Sequence, residues 1–241
     1  MIKPFDFYFD FISPYSFLAH KEIRKIEQKS SIKIKYKPIL LGGLHNLHGI
    51  KAPAFIPAKA KHMIRDCKLI AERNNVRFKF NSYFPIRSLN LMRGVLVAEE
   101  DNFKSYYIDN IFDAIWQDGL NMNDETIIQK VLKNLSVNPK TFALRSTSSL
   151  IKDSLRKKTS DAYQKGVFGA PTFVANNKIF WGQDRLEFAL RSTSSLIKDS
   201  LRKKTSDAYH RGVFGAPTFV ANNKIFWGQD RLEFALKEAN K

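Results

Sequence analysis

Phenylalanine occupies every second position at the start of the chain (Phe5, Phe7, Phe9, Phe11), with Asp6, Tyr8 and Asp10 between. A period of two is that of a β-strand, so this stretch predicts a strand with one buried face. Ser13-Pro14 follows. Serine is a good N-cap and proline suits the first helical position, and Phe17, Leu18, Ile23 and Ile26 then supply an apolar stripe at helical spacing. Ile32, Ile34 and Tyr36 alternate with Lys33, Lys35 and Lys37, predicting a second strand that Pro38 ends. From about 57 to 160 the pattern turns helical, most clearly over 62–74, 88–100 and 102–116, with no convincing strand. Alternation returns in Thr172-Phe173-Val174-Ala175 and Ile179-Phe180-Trp181, which flank the turn Asn176-Asn177-Lys178 and precede a short helical pattern over 183–190. The expected α/β architecture is a strand–helix–strand opening, an all-helical insertion at about 57–160 and a closing strand–strand–helix unit.

A repeat changes how that architecture is counted. Residues 145–190 recur as 191–236, differing only where Gln164 becomes His210 and Lys165 becomes Arg211. Solenoids need about three stacked units, so two near-identical copies do not make one. The tripeptide Phe-Ala-Leu begins at 142, 188 and 234, as expected if a short homologous stretch seeded an unequal exchange or an assembly error. The expected organisation is one domain over 1–190, insertion included, and a duplicated segment with its tail over 191–241. The first copy is expected to complete the sheet. Docking the second would close an extra loop, and the logarithmic growth of loop entropy makes that preference only about 1 kcal/mol. One copy aside, a composition 44% hydrophobic and 13% aromatic still suits a single ordinary core.

Forty Lys and Arg against 23 Asp and Glu give a net charge of +17, which attracts nucleic acid, anionic membrane or small carboxylates and phosphates alike. The lysines are scattered and no recognition motif accompanies them, so nucleic acid is not the expected partner. Charged residues interrupt the aromatic N-terminus, so no signal peptide or membrane span is expected and the reading is cytoplasmic. Cys67 is the single cysteine, which excludes an intrachain disulfide and a cysteine-based zinc site. It lies on a helical pattern between Ile64 and Ile70 and is expected in the core. His45, His48 and His62 have no carboxylate or cysteine at ligand spacing, so no metal site is expected.

Three separated motifs occur in order: Phe7-Tyr-Phe-Asp-Phe-Ile-Ser-Pro-Tyr-Ser-Phe17, Gly166-Val-Phe-Gly-Ala-Pro-Thr-Phe173 and Phe180-Trp-Gly-Gln-Asp-Arg-Leu186. On these the chain closely resembles the 2-hydroxychromene-2-carboxylate isomerases, bacterial relatives of kappa-class glutathione transferases in the DsbA-like thioredoxin superfamily. Leu40-Leu-Gly-Gly43, Pro57-Ala-Lys59 and Met92-Arg-Gly94 extend the resemblance nearly end to end once one repeat copy is set aside. It implies a thioredoxin-like (DsbA-like) α/β domain with an all-helical insertion, followed here by an extra ββα copy, and a site built around glutathione.

Dithiol relatives carry Cys-Xaa-Xaa-Cys where this chain reads Ser13-Pro14-Tyr15-Ser16, so disulfide exchange is excluded. A hydroxyl at the positive end of a helix instead favours a thiolate supplied by glutathione, and the resemblance makes Ser13 the catalytic residue. Read alone, Ser13 is a plain N-cap. The resemblance makes Ala170-Pro171 a cis-proline turn whose Ala170 backbone pairs with the cysteinyl backbone of glutathione, where the bare residues allow a simple tight turn. It gives Gln183 and Asp184 the γ-glutamyl end, where helix capping is the other reading, and Lys59 a glutathione carboxylate, where a solvated lysine is the other. The second copy repeats these residues as Ala216, Pro217, Gln229 and Asp230.

Two departures bear on the substrate. Gly49-Ile50-Lys51-Ala52-Pro53 has Ile50 where the family carries asparagine, and Phe84-Pro85-Ile86-Arg87-Ser88 replaces a Phe-Pro-Xaa-Asn-Thr pattern. Arg87 is either a clamp for a substrate carboxylate or a surface arginine. The resemblance implies a glutathione-dependent isomerase of a 2-oxo or 2-hydroxy acid from aromatic-ring degradation, acting on a small carboxylate as a homodimer. A conjugating kappa-like transferase and a catalytically degraded glutathione-binding protein are the alternatives.

Overall fold

The computed structural model describes residues 4–30, 32–193 and 195–241. Strand β1 (Phe5–Phe9) leads into helix α1 (Pro14–Lys29), and β2 (Ile34–Pro38) returns parallel to β1 with Phe7 opposite Tyr36. The α1 start follows from its residues: the Ser13 hydroxyl accepts the Ser16 N–H, and Pro14 takes the first turn where its missing donor costs nothing. Phe17, Leu18 and Ile23 of the apolar stripe are buried. Ile32 falls outside β2.

The single buried face expected of β1 is corrected. Phe5, Phe7 and Phe9 enter the main core, but Tyr8 on the opposite face is also buried, in a smaller cluster with Ile39, Leu44, Ala162 and Val167. Two helices supply that second cover: α2 (Leu41–His48), which the hydrophobic pattern does not signal, and a later helix that packs on α2 and β2.

The insertion holds helices and no strand, with an irregular stretch over 75–88. It runs through α3 (Pro57–Arg73), α4 (Leu89–Glu100), α5 (Lys104–Trp116), α6 (Glu125–Asn134) and α7 (Pro139–Ser146) to α8 (Ser149–Gln164), the helix that covers the second face. Helices α4 and α5 pack closely because Gly94 has no side chain. A Cβ there would collide with the Tyr107 phenol and the Phe142 ring.

Strand β3 (Thr172–Ala175) then lies antiparallel to β1, with Phe173 opposite Phe7, and β4 (Lys178–Trp181) pairs with β3 to complete the order β2-β1-β3-β4. The Phe7 and Phe173 rings stack 5.4 Å apart and both are fully buried. Such a pair contributes about 0.5–1.5 kcal/mol beyond its burial. A 3-10 turn (Gln183–Arg185) opens into α9 (Leu186–Thr193), which packs on β3.

Two compact units divide the described residues, one within Ile2–Thr193 and the other within Ser194–Lys241. The second consists of α10 (Ser195–His210), β5 (Thr218–Ala221), β6 (Lys224–Trp227), a 3-10 turn (Gln229–Arg231) and α11 (Leu232–Ala239). Its sheet is the β5-β6 hairpin alone. The peptides Phe84–Pro85, Ala170–Pro171 and Ala216–Pro217 are cis. No helix among the described residues is long and apolar enough to cross a membrane.

Candidate active site

The loop 10–13 between β1 and α1 is tied down at every residue. The Asp10 carboxylate accepts the Leu41 N–H at 2.8 Å and the Ile12 N–H at 3.1 Å, and the nearby Ser88 hydroxyl also favours its charged form. Its backbone carbonyl accepts the Ser13 N–H at 3.1 Å, closing a turn. Phe11 donates its N–H to the Met92 sulfur at 3.4 Å, and its carbonyl accepts the Trp116 indole N–H at 2.8 Å. Asp10 is fully buried, and burial pushes its carboxyl above the ordinary range against the pull of those donors.

Ser13, only 5% exposed, closes the loop. Its hydroxyl donates to the Ala170 carbonyl at 2.9 Å while accepting the Ser16 N–H at 3.1 Å. The fold thus brings the N-terminus of α1 against the turn before β3, a separation of 157 residues. The Thr172 hydroxyl donates to the Gly169 carbonyl at 2.7 Å, and Gly182 donates its N–H to the Pro171 carbonyl at 3.0 Å. Gly182 has φ +116°, a conformation that glycine alone adopts readily, and it launches the Gln183–Arg185 turn, which packs against α1. Gln183 is half-buried; Asp184 is exposed and lies 3.3 Å from the Arg185 guanidinium, a pair that exposure makes weak.

Lys59 stands apart from this group. It is exposed in the first turn of α3 and makes no hydrogen bond or ion pair among the described residues. Helix α3 is tied to α1 further along, where the Tyr15 hydroxyl donates to Asp66 at 2.8 Å. Arg87 is exposed, with its N–H on the Asn123 side chain at 2.7 Å, and Ile50 follows α2 with its N–H on the His45 carbonyl at 2.9 Å. Cys67 is fully buried beside Tyr15 and Asp66, and burial pushes its thiol up, away from the reactive thiolate form.

In the C-terminal unit the local geometry recurs: Thr218 bonds the Gly215 carbonyl, and Gly228 donates to the Pro217 carbonyl at 2.9 Å. Gln229 and Asp230 begin the same 3-10 turn. Among the described residues, no serine hydroxyl reaches the Ala216 carbonyl as Ser13 reaches Ala170.

Sequence reasoning missed the groups that hold the loop. Asp10 reads there as a charge punctuating an aromatic run, and Met92, Ser88 and Trp116 lie far away in sequence. The available signal was a carboxylate interrupting an alternation three residues before a helix cap. Chemically, a helix N-terminus carrying a hydroxyl and an adjacent backbone turn make a place where an anion is stabilised and its carrier held by backbone pairing.

Known proteins resemble the chain over most of its length. The chain is similar to the 2-hydroxychromene-2-carboxylate isomerase of Sphingobium xenophagum, 29% identical over 78% of this chain and 96% of the relative. It is also similar to glutathione S-transferase kappa 1 of Rattus norvegicus, 23% identical over 76% and 87% of the two chains. A solved 2-hydroxychromene-2-carboxylate isomerase structure superposes with a TM-score of 0.73 at 23% identity, covering 85% of this chain and 98% of that one. The DSBA-like thioredoxin domain matches residues 5–193 and again 188–239, and the chain belongs to that family.

Proposed function

We propose that the chain is a glutathione-dependent isomerase of a small, conjugated 2-oxo or 2-hydroxy acid of the 2-hydroxychromene-2-carboxylate type. The observation that carries the reading is the 2.9 Å bond from the Ser13 hydroxyl to the Ala170 carbonyl, which joins a hydroxyl-capped helix end to a backbone turn. The donor set fits a zwitterionic thiol tripeptide. Ser13 and the α1 N-terminus suit its sulfur, Ala170 its central backbone, and Gln183 with Asp184 its amino-terminal end. Lys59 is the least supported member of the set, because the fold does not bring it into contact with the others.

When bound, glutathione supplies a nucleophilic thiolate that an isomerisation about a conjugated double bond requires. The chain's own residues orient and stabilise. Ser13 presents a hydroxyl proton to an anion, the N-terminus of α1 adds the positive end of the helix dipole, and the Ala170 turn fixes the direction from which the ligand enters. Asp184 pairs with the ligand's ammonium group in this reading, once it leaves Arg185.

The relatives named as isomerases support this reading over conjugation. Similarity to the kappa-class transferase keeps a second one in view, in which glutathione remains in the product. Calorimetric titration of the full chain with glutathione, followed by product analysis on the chromene acid, decides among the readings. Saturable binding with an isomerised product and unconsumed glutathione is expected. A glutathione adduct would favour the transferase, binding without turnover a degraded binding protein, and no binding would end the proposal.

A further inference from the structure

We infer that Asp10 is the positioning residue of the Ser13 turn, its buried carboxylate joining the N-termini of α2 and α4 to the loop that ends in Ser13. Three helix starts gather around this one residue, one at its backbone carbonyl and two at its carboxylate. Helix α1 starts at Ser13, whose N–H is held by the Asp10 carbonyl. Helix α2 starts at Leu41, whose N–H is capped by the Asp10 carboxylate because Leu40, in the cap position, has no side-chain oxygen. Helix α4 starts after Ser88, whose hydroxyl caps nothing in its own helix and instead favours the charged form of the Asp10 carboxyl.

The chemistry of the group explains why an aspartate stands there. An ionised carboxylate is a pure acceptor with room for all three donors. Asparagine offers one oxygen to them and turns an NH2 toward another donor, and an apolar residue leaves every donor unpaired. Among the described residues no charged side chain offsets the carboxylate; the groups acting on it are the Leu41 N–H, the Ser88 hydroxyl and the Ile12 N–H. A buried, uncompensated carboxylate costs stability. Because burial raises its folded-state value above that of the unfolded chain, the cost appears as pH rises through the carboxylate range and persists at neutral pH. What offsets that cost is the hold of the carboxylate on the Leu41 and Ile12 N–H groups, and through Ile12 on the loop that ends in Ser13.

The consequence for glutathione rests on the proposed function; the positioning of the loop does not. The test uses full-length Asp10→Asn near pH 7.5. Its melting temperature is expected within about 4 °C of the parent or above it. The amides of Ile12, Ser13 and Leu41 are expected to exchange with solvent about tenfold faster while the rest of the core stays protected, and the glutathione Kd to rise about fivefold or more. Unchanged exchange at those amides, or a loss of protection spread evenly over the core, overturns the inference. If Asp10→Asn does not fold, Ser88→Ala removes a single donor. The same local loosening at Ile12 and Leu41 supports the inference, and its absence overturns it. Should the parent not bind glutathione, the functional reading fails while the exchange pattern still decides the role of Asp10.

Discussion

The Ser13 hydroxyl has one proton to give, and in this structure it goes to the Ala170 carbonyl at 2.9 Å, while a lone pair caps α1 through Ser16. A thiolate arriving at the helix end competes for that proton. Releasing Ala170 is cheap only if the ligand supplies that carbonyl with a replacement donor, which a peptide backbone can do. Ser13→Ala therefore separates two effects. The pKa of the bound thiol is expected to climb about one unit or more toward the free value, equivalent to about 1.4 kcal/mol of lost anion stabilisation. Glutathione affinity is expected to change less, because backbone pairing is untouched. Loss of the cap costs about 1 kcal/mol and lowers the melting temperature by about 2–4 °C. Ultraviolet difference titration of the bound thiol is the measurement. An unmoved thiol pKa reduces Ser13 to a helix cap.

Elements whose residues carry their own signals were legible: the Ser13-Pro14 start of α1 and the Asn176-Asn177 hairpin between β3 and β4 stand where the pattern places them, and β1 does so up to Phe9, two residues short of the alternation's end at Phe11. Helix α2 was not, for a physical reason. It is eight residues long, contains Gly42 and Gly43, and takes its caps from elsewhere: Asp10 on the Leu41 N–H, and the Thr159 hydroxyl on the Leu40 N–H at 3.0 Å. Its existence depends on tertiary bonds that a local reading does not contain. The same holds for the seam between α1, β2 and α5, which runs through the fully buried His20. Its Nδ1 is 2.9 Å from the Tyr36 hydroxyl, its ring stacks on Phe112 at 5.0 Å, and its Nε2 lies 2.8 Å from Asp109, which the Arg24 guanidinium also grips. Burial pushes His20 below its ordinary value, more than the facing carboxylate lifts it. Burial also pushes Asp109 up, but His20 and Arg24 hold it below its ordinary value. For both groups the unfolded chain binds protons more readily than the folded one, so stability rises with pH across both windows and is lost on acidification. The parent's melting temperature is expected to fall as pH drops through about 6.5. His20→Gln is expected to melt lower throughout but with a flatter slope across that range. An equal slope in the two proteins would place the titration elsewhere.

At the scale of the whole chain, one sequence occurs twice in two circumstances. In β3 it lies between β1 and β4, with Phe173 fully buried and Thr172 and Ala175 inaccessible. In β5 it pairs with β6 alone among the described residues, and Phe219 is only half-buried. Phe214, Trp227 and Phe234 are exposed by 72%, 56% and 51% in that unit. An unpaired strand edge beside exposed aromatics is a template for association, and nothing in the four-stranded sheet calls for a second hairpin. The unit within Ile2–Thr193 holds β1 through β4, the Ser13 turn, Ala170-Pro171 and the Gln183–Arg185 turn, so it contains the whole candidate site. A chain ended after Thr193 is therefore expected to melt in one cooperative transition within about 4 °C of the full chain. Its glutathione affinity is expected within about twofold of the parent, and its light scattering at high concentration to be lower than that of the full chain. A broad, non-cooperative melt of the shortened chain would show that residues beyond 193 help to hold the sheet. Unchanged scattering would acquit the β5 edge as the cause of association.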